Sequence, residues 1–202
     1  MCFSNCEAYA AATRYAACLV CFDKRTHSGI LAALVSQTPS RHRPLKNVLF
    51  VCTGNVCRSP MAEALFRELV KDRGDYEVVS AGVGALPGQA ASAHTANILR
   101  EKGLDLSSFR SRPLTLDLME KATHIFAMAG HHLEAIEMDF PQAADKAYLV
   151  SEFCSDDKMR NQDVPDPIGM GREAYEETRR MLEAMLPSVL NYIEQTFPKK
   201  DP

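Results

Sequence analysis

The apolar run Val48-Leu49-Phe50-Val51 leads without a break into Cys52-Thr-Gly-Asn-Val-Cys-Arg-Ser59, and Pro60 follows at once. A short β-branched and aromatic run with no polar alternation reads as a strand buried on both faces, as in a parallel sheet. Ser59-Pro60 reads as a helix start, because a proline in the first turn gives up an N–H that has no intrahelical partner. Met61, Ala64, Leu65, Glu68 and Leu69 are spaced to lie on the inward face of that helix. Strand, tight loop and helix in this order restrict the chain to an α/β architecture.

The loop gathers the parts needed to hold one tetrahedral anion. Successive backbone N–H groups and the positive end of the following helix line a concavity that binds phosphate without any particular side chain. Gly54 and Asn55 tolerate the backbone angles such a nest requires. Thr53, Gly54, Asn55, Val56 and Cys57 are therefore the expected phosphate-binding residues, with Arg58 as the loop's cation. A guanidinium fork suits two phosphoryl oxygens, a geometry that lysine does not reproduce. Cys52 stands at the carboxyl end of the strand, where open α/β sheets place their ligands. A helix N-terminus and a nearby guanidinium both favour a thiolate over a thiol. Ser59 is placed to donate its hydroxyl to the Cys52 sulfur. A buried cysteine beside an ordinary turn is the plain alternative, and the matching flanks on both sides argue against it.

With those residues in view, the stretch from Val48 to Glu63, Val-Leu-Phe-Val-Cys-Thr-Gly-Asn-Val-Cys-Arg-Ser-Pro-Met-Ala-Glu, resembles the signature of the low-molecular-weight protein tyrosine phosphatase family. The resemblance runs from about Lys46 to Phe197. It implies a cysteine nucleophile at Cys52, a phosphoryl-binding arginine at Arg58 and a phosphocysteine intermediate. It also implies an aspartate general acid on a distant loop. Asp163-Val-Pro-Asp166-Pro-Ile-Gly169 is the matching segment, stiffened by two prolines. The family's Asp-Pro pair falls on Asp166-Pro167, which makes Asp166 the expected acid and Asp163 the reserve. A helix-capping role for Asp166 is the plain alternative. No metal or cofactor is expected, since Arg58 and the backbone nest supply the charge.

The chain departs from tyrosine-directed members of the family where the leaving group would sit. Those members often carry aromatic residues after the Asp-Pro pair, whereas this chain has Ile168-Gly-Met-Gly171. At position 56 they often carry isoleucine, and the protein-arginine-phosphatase branch has threonine. Val56 is nearly isosteric with that threonine but lacks its hydroxyl. The substrate is expected to be a phosphorylated protein side chain, phosphotyrosine or phosphoarginine, with a lean toward phosphoarginine and with Ile168 on the pocket wall. Pocket differences of this size discriminate by about 1–3 kcal/mol.

Two other functions stand beside this one. Relatives that reduce arsenate relay a disulfide through further cysteines, and only Cys154 lies downstream of the loop. A phospho-residue binding module without turnover would be expected to lack one of Cys52, Arg58 and Asp166. A nucleotide-binding P-loop would end in Lys-Ser/Thr, which this loop does not. The resemblance implies a reversible disulfide between Cys52 and Cys57; a small packing residue is the equal alternative for Cys57. His94, His124, His131 and His132 lack metal-like spacing and read as surface or structural.

Residues 1–45 fall outside the resemblance and read as a poorly ordered extension, with 46–202 as the phosphatase domain. Ala8 to Val35 has helical character. Cys2, Cys6, Cys18 and Cys21 offer a zinc set only loosely, so free thiols are expected. The apolar runs are too short to span a membrane. Residues 1–46 hold six basic against two acidic residues, leaving 17 basic and 24 acidic in the remainder. An acidic body argues against nucleic-acid binding. A cytoplasmic monomer is expected.

Beyond the first helix, to about Asp72, strands are expected at Tyr76–Ser80, His124–Met128 and Lys146–Val150. Helices are expected near His94–Lys102, Leu114–Ala122, His132–Asp139 and Arg172–Phe197, the last kinked or interrupted at Pro187. The sum is a three-layer sandwich, a four-stranded parallel sheet flanked by helices, with the phosphate-binding loop after the first strand.

Overall fold

The run at Val48 forms the centre of the sheet. A computed structural model describes residues 44–197. In it β1 (Lys46–Cys52) lies between β2 (Tyr76–Gly82) and β3 (His124–Ala127), with β4 (Ala147–Leu149) outside β3. All three pairings are parallel, in the order β2-β1-β3-β4. The chain leaves β1 for one side of the sheet and then crosses to the other. The loop after β1 therefore opens at a topological switch point, where parallel sheets leave a crevice.

Strand alternation divides the core. Val48, Phe50 and Cys52 face a layer built on α1 (Arg58–Leu69) and α5 (Arg172–Thr196). Leu49 and Val51 face the opposite layer, with Met119 of α3 (Leu116–Lys121) and Ile136 of α4 (Gly130–Asp139). The short α2 (Ala93–Glu101) packs against α5. Helices thus cover both faces, which completes the expected three layers. Phe50 and Phe66 are fully buried and meet edge to face with centroids 5.5 Å apart. Burying each contributes about 1.5–3 kcal/mol.

Several local expectations are corrected. Helix α1 starts at Arg58, so Ser59 and Pro60 are its second and third residues. Met61 N–H closes the first turn on Cys57 O at 3.3 Å, and the N–H that Pro60 lacks would have been unpaired there in any case. The buried side of α1 is Met61, Ala62, Leu65 and Phe66, while Leu69 is 42% exposed. That side lies between the sheet and α5, which shifts it by part of a turn from the sequence reading. Helix α1 ends at Leu69, short of Asp72. Helix α5 runs uninterrupted through Pro187. Pro187 lies on its exposed side, where water can serve the carbonyl that proline leaves unpaired. A 3₁₀ turn at Pro141–Lys146, not foreseen, trims the last strand to three residues.

The helix expected within Ala8–Val35 and the cysteine set Cys2, Cys6, Cys18 and Cys21 lie outside the described residues. Among the described residues, no helix is long and apolar enough to cross a membrane.

His124 is buried at the edge of the α5 layer, its ring nitrogens meeting Thr123 Oγ1 at 3.0 Å and Thr196 Oγ1 at 3.3 Å. Burial, and then the Lys46 charge, push its pKa down to about 4. Unfolding restores a value of about 6.5, so this residue's contribution to stability is present above that pH and is lost as the pH falls toward 4. The melting temperature is expected to fall between about pH 7 and 5. His124→Gln should flatten part of that decline; an unaltered slope in the variant would contradict the assignment.

Candidate active site

Six chain segments meet around the loop between β1 and α1. Its shape is set by Asn55, which takes a left-handed backbone conformation with φ of +52°. Asparagine is among the few residues other than glycine that adopt it readily. The side chain holds the bend in place: Asn55 Oδ1 accepts Arg112 N–H at 2.9 Å, while Nδ2 donates to Ser59 Oγ at 2.9 Å and Ser80 Oγ at 2.8 Å. The loop is thereby tied to α1, to β2 and to the segment before Pro113.

The end of β2 approaches the loop closely. Val83 N–H reaches Cys52 O and Gly84 N–H reaches Thr53 O, both at 3.0 Å. A Cβ on Gly82 would lie 2.4 Å from Thr53 O and 2.9 Å from Asn55 N, so only glycine fits. Ser92 N–H holds Val56 O at 2.8 Å on the far side.

Cys52 Sγ is buried, 3.0 Å from Ser59 Oγ, and accepts Asn55 N–H at 3.3 Å. The expected contact between Ser59 and the sulfur is therefore present. Cys57 Sγ instead faces Tyr175 OH at 3.5 Å. Cys57 is also the N-cap of α1 and makes no side-chain cap. The N–H groups of the first helical turn therefore remain directed at the loop's mouth.

Arg58 is 3% exposed. Its Nη1 donates to Val164 O at 3.2 Å, and its Nη2 donates to Asp166 Oδ2 at 2.6 Å and Thr53 Oγ1 at 3.4 Å. Buried Nε has no hydrogen-bond partner among the described residues. The Asp166 side chain is 40% exposed, and its Oδ1 accepts Ile168 N–H at 3.1 Å. It does not cap α5, which starts at Arg172 behind Gly171. Asp163 has a different task, accepting Gly130 N–H at 2.8 Å where α4 begins. Geometry thus separates the two aspartates and brings Asp166 to the loop. Ile168 and Met170, in the segment after the Asp-Pro pair, are each 60% exposed.

Three residues of this arrangement escaped the sequence reading. His132 is fully buried with Nε2 2.9 Å from Thr53 Oγ1. Burial pushes it down to about 3, with help from His131 and Arg58, so it adds no charge to the loop. Its place just beyond the carboxyl end of β3 was the available signal. Glu63 and Ser80 are buried behind the loop, with Ser80 Oγ donating to Glu63 Oε2 at 2.5 Å. Burial raises the Glu63 carboxyl above its ordinary range, against the opposing pull of Ser80, Arg67 and Arg112. Nothing in the local pattern distinguishes either residue from ordinary helix and strand positions.

The sequence model of the family described as low molecular weight phosphotyrosine protein phosphatase matches residues 47–199. A protein-arginine-phosphatase of Geobacillus stearothermophilus is 41% identical over 139 residues, covering 69% of this chain and 90% of that protein. A protein-arginine-phosphatase of Bacillus subtilis strain 168 is 40% identical over 141 residues, covering 69% and 91%. Among solved structures, the YwlE arginine phosphatase, in a cysteine-to-serine mutant with a phosphorylated active-site serine, superposes with a TM-score of 0.69 at 37% identity. That match covers 75% of this chain and 97% of the other.

Gly82→Ala places a methyl group against loop backbone that has no room to yield. It should destabilise the protein by about 1–3 kcal/mol, read as a lower urea midpoint. Affinity for inorganic phosphate should fall with it. Phosphate affinity equal to that of the native protein would show that the approach of β2 does not shape the loop.

Proposed function

The chain belongs to the low molecular weight phosphotyrosine protein phosphatase family, and from that membership we propose that it hydrolyses phosphoarginine in proteins through a phosphocysteine at Cys52. The observation that carries the substrate reading is the aliphatic segment after the Asp-Pro pair. Ile168 and Met170 stand exposed after Asp166-Pro167, and no aromatic residue lies between Asp166 and Tyr175. A phenyl ring would lose stacking worth about 0.5–1.5 kcal/mol for each aromatic partner. The identity to two protein-arginine-phosphatases of bacilli supports the same choice.

The steps follow from the atoms in place. The phosphoryl group sits in the loop, its oxygens held by backbone N–H groups and by Arg58, whose Nε has no hydrogen-bond partner among the described residues. The Cys52 thiolate attacks phosphorus as the P–N bond breaks. Asp166 gives its proton to the departing guanidine nitrogen, which leaves as an arginine side chain. Ser59, 3.0 Å from the sulfur, stabilises the thiolate before attack and again when it departs. Water then attacks the phosphocysteine, Asp166 takes its proton, and phosphate leaves with the thiolate restored. His132 and Thr53 keep the mouth of the loop in register without adding charge.

Thr53, Gly54, Asn55, Val56 and Cys57 contact the phosphoryl group, and Ile168 borders the leaving group. The site is complete within one chain, which is in keeping with a monomer. Cys52, Cys57 and Cys154 are free thiols, and a thiolate nucleophile works in a reducing compartment such as the cytoplasm.

Parallel turnover assays on a phosphoarginine peptide and its phosphotyrosine counterpart test the assignment. The expected result is a kcat/KM at least about tenfold higher for phosphoarginine, the size of discrimination a pocket wall supplies. Cys52→Ser and Asp166→Asn should lower that turnover. Preferential turnover of phosphotyrosine would overturn the substrate assignment.

A further inference from the structure

Behind the loop, a chain of hydrogen bonds links the nucleophile to a buried carboxylate that the mechanism above does not use. Its polarity can be read link by link. Arg112 N–H can only donate, so the Asn55 atom facing it is Oδ1, at 2.9 Å. Nδ2 therefore faces the two serines, and an amide nitrogen donates without accepting. Ser59 Oγ and Ser80 Oγ both accept from it, at 2.9 and 2.8 Å. Each hydroxyl then has one proton to place. Ser80 gives its proton to Glu63 Oε2 at 2.5 Å. Ser59 chooses between Cys52 Sγ at 3.0 Å and Ala81 O at 3.4 Å, and the shorter contact is to sulfur.

We propose that Glu63 is a positioning residue for Cys52: by accepting the Ser80 proton it keeps Ser80 an acceptor toward Asn55, and so directs the Ser59 proton onto the sulfur. The inference rests on the reading of Cys52 as a thiolate nucleophile. Glu63 is held for the task on all sides. Arg67 Nη2, one turn along α1, meets its Oε1 at 2.7 Å. Ser80 serves it from β2 with its hydroxyl, and Arg112 adds a favourable charge from the segment before Pro113. Without an acceptor at position 63, the Ser80 proton has no fixed direction and competes with the Asn55 amide hydrogens for the space between them. Asn55 then loses one of the bonds that hold it toward Ser59.

The role depends on an acceptor atom, which allows it to be separated from stability. In Glu63→Gln the amide oxygen can still accept from Ser80, while the ion pair with Arg67 is lost. In Glu63→Met, of similar volume, both are lost. The measurement is the pH dependence of alkylation by iodoacetate at the Cys52 peptide, followed by mass spectrometry so that the other thiols do not interfere. On the acidic limb, Glu63→Met is expected to alkylate about three- to tenfold more slowly than the native protein, the effect of one weakened hydrogen bond. Glu63→Gln should recover most of that rate although its melting temperature falls. Ser80→Ala should show a similar loss, and combining it with Glu63→Met should add little, because both break one chain. Ser80→Ala also supplies the test if Glu63→Met fails to fold, since a native acidic limb in Ser80→Ala overturns the proposal. An unshifted limb in folded Glu63→Met overturns it too, as does a loss in Glu63→Gln equal to that in Glu63→Met. A native Cys52 that alkylates only as slowly, and only at as high a pH, as an ordinary unactivated thiol would instead remove the nucleophile reading on which the proposal rests.

Discussion

Asn55 sits where three parts of the fold have to agree. Its backbone turns through the left-handed region, and its amide bonds to Ser59 in α1, to Ser80 in β2 and to the main chain at Arg112. A residue held in that region costs about 1–3 kcal/mol and persists only where its surroundings fix it. Here three hydrogen bonds and the close approach of Gly82 do so. The sulfur, the helix start and the backbone nest all take their positions from that bend.

Charge is arranged around the bend with equal economy. Arg58 is almost fully buried, and its partners are a carbonyl, a hydroxyl and the half-exposed carboxylate of Asp166. A buried cation with, among the described residues, one carboxylate ion-pair partner retains capacity for an anion, which a symmetric ion-pair network would have consumed. His132, beside Thr53, is a neutral imidazole because its burial, and then the neighbouring His131 and Arg58, disfavour a charge there. Glu63 lies on the opposite side, behind the loop and away from the mouth, where its charge is answered by Arg67.

Much of this was legible in the residues themselves, for reasons of range. The strand at Val48, the loop and the following helix are contiguous, so their pattern carries the architecture and the first two functional side chains. The Asp-Pro pair could be found because prolines mark a stiff segment, yet choosing Asp166 over Asp163 needed the resemblance. The structure adds a physical ground, for Asp163 is occupied at the start of α4. Ser80 and Glu63 were not legible, because their roles depend on parallel pairing and packing between distant segments, while His132 was marked only by its place just beyond the carboxyl end of β3. The inward side of α1 was misplaced for a related reason: α5 lies more than a hundred residues away, and it determines which residues of α1 are covered. Pro187 was expected to kink or interrupt its helix, which instead runs on without a break because the proline lies on the solvent-facing side.

Every step of the proposed reaction depends on covalent transfer of phosphorus to Cys52. Rapid acid-free quenching of the Asp166→Asn variant during turnover of a phosphoarginine peptide, followed by peptide mass spectrometry, tests it directly. Slowed hydrolysis should leave a phosphoryl group on the peptide containing Cys52, and on no other cysteine peptide. Turnover with phosphate never found on Cys52, or found on Cys57 or Cys154 instead, would contradict the account.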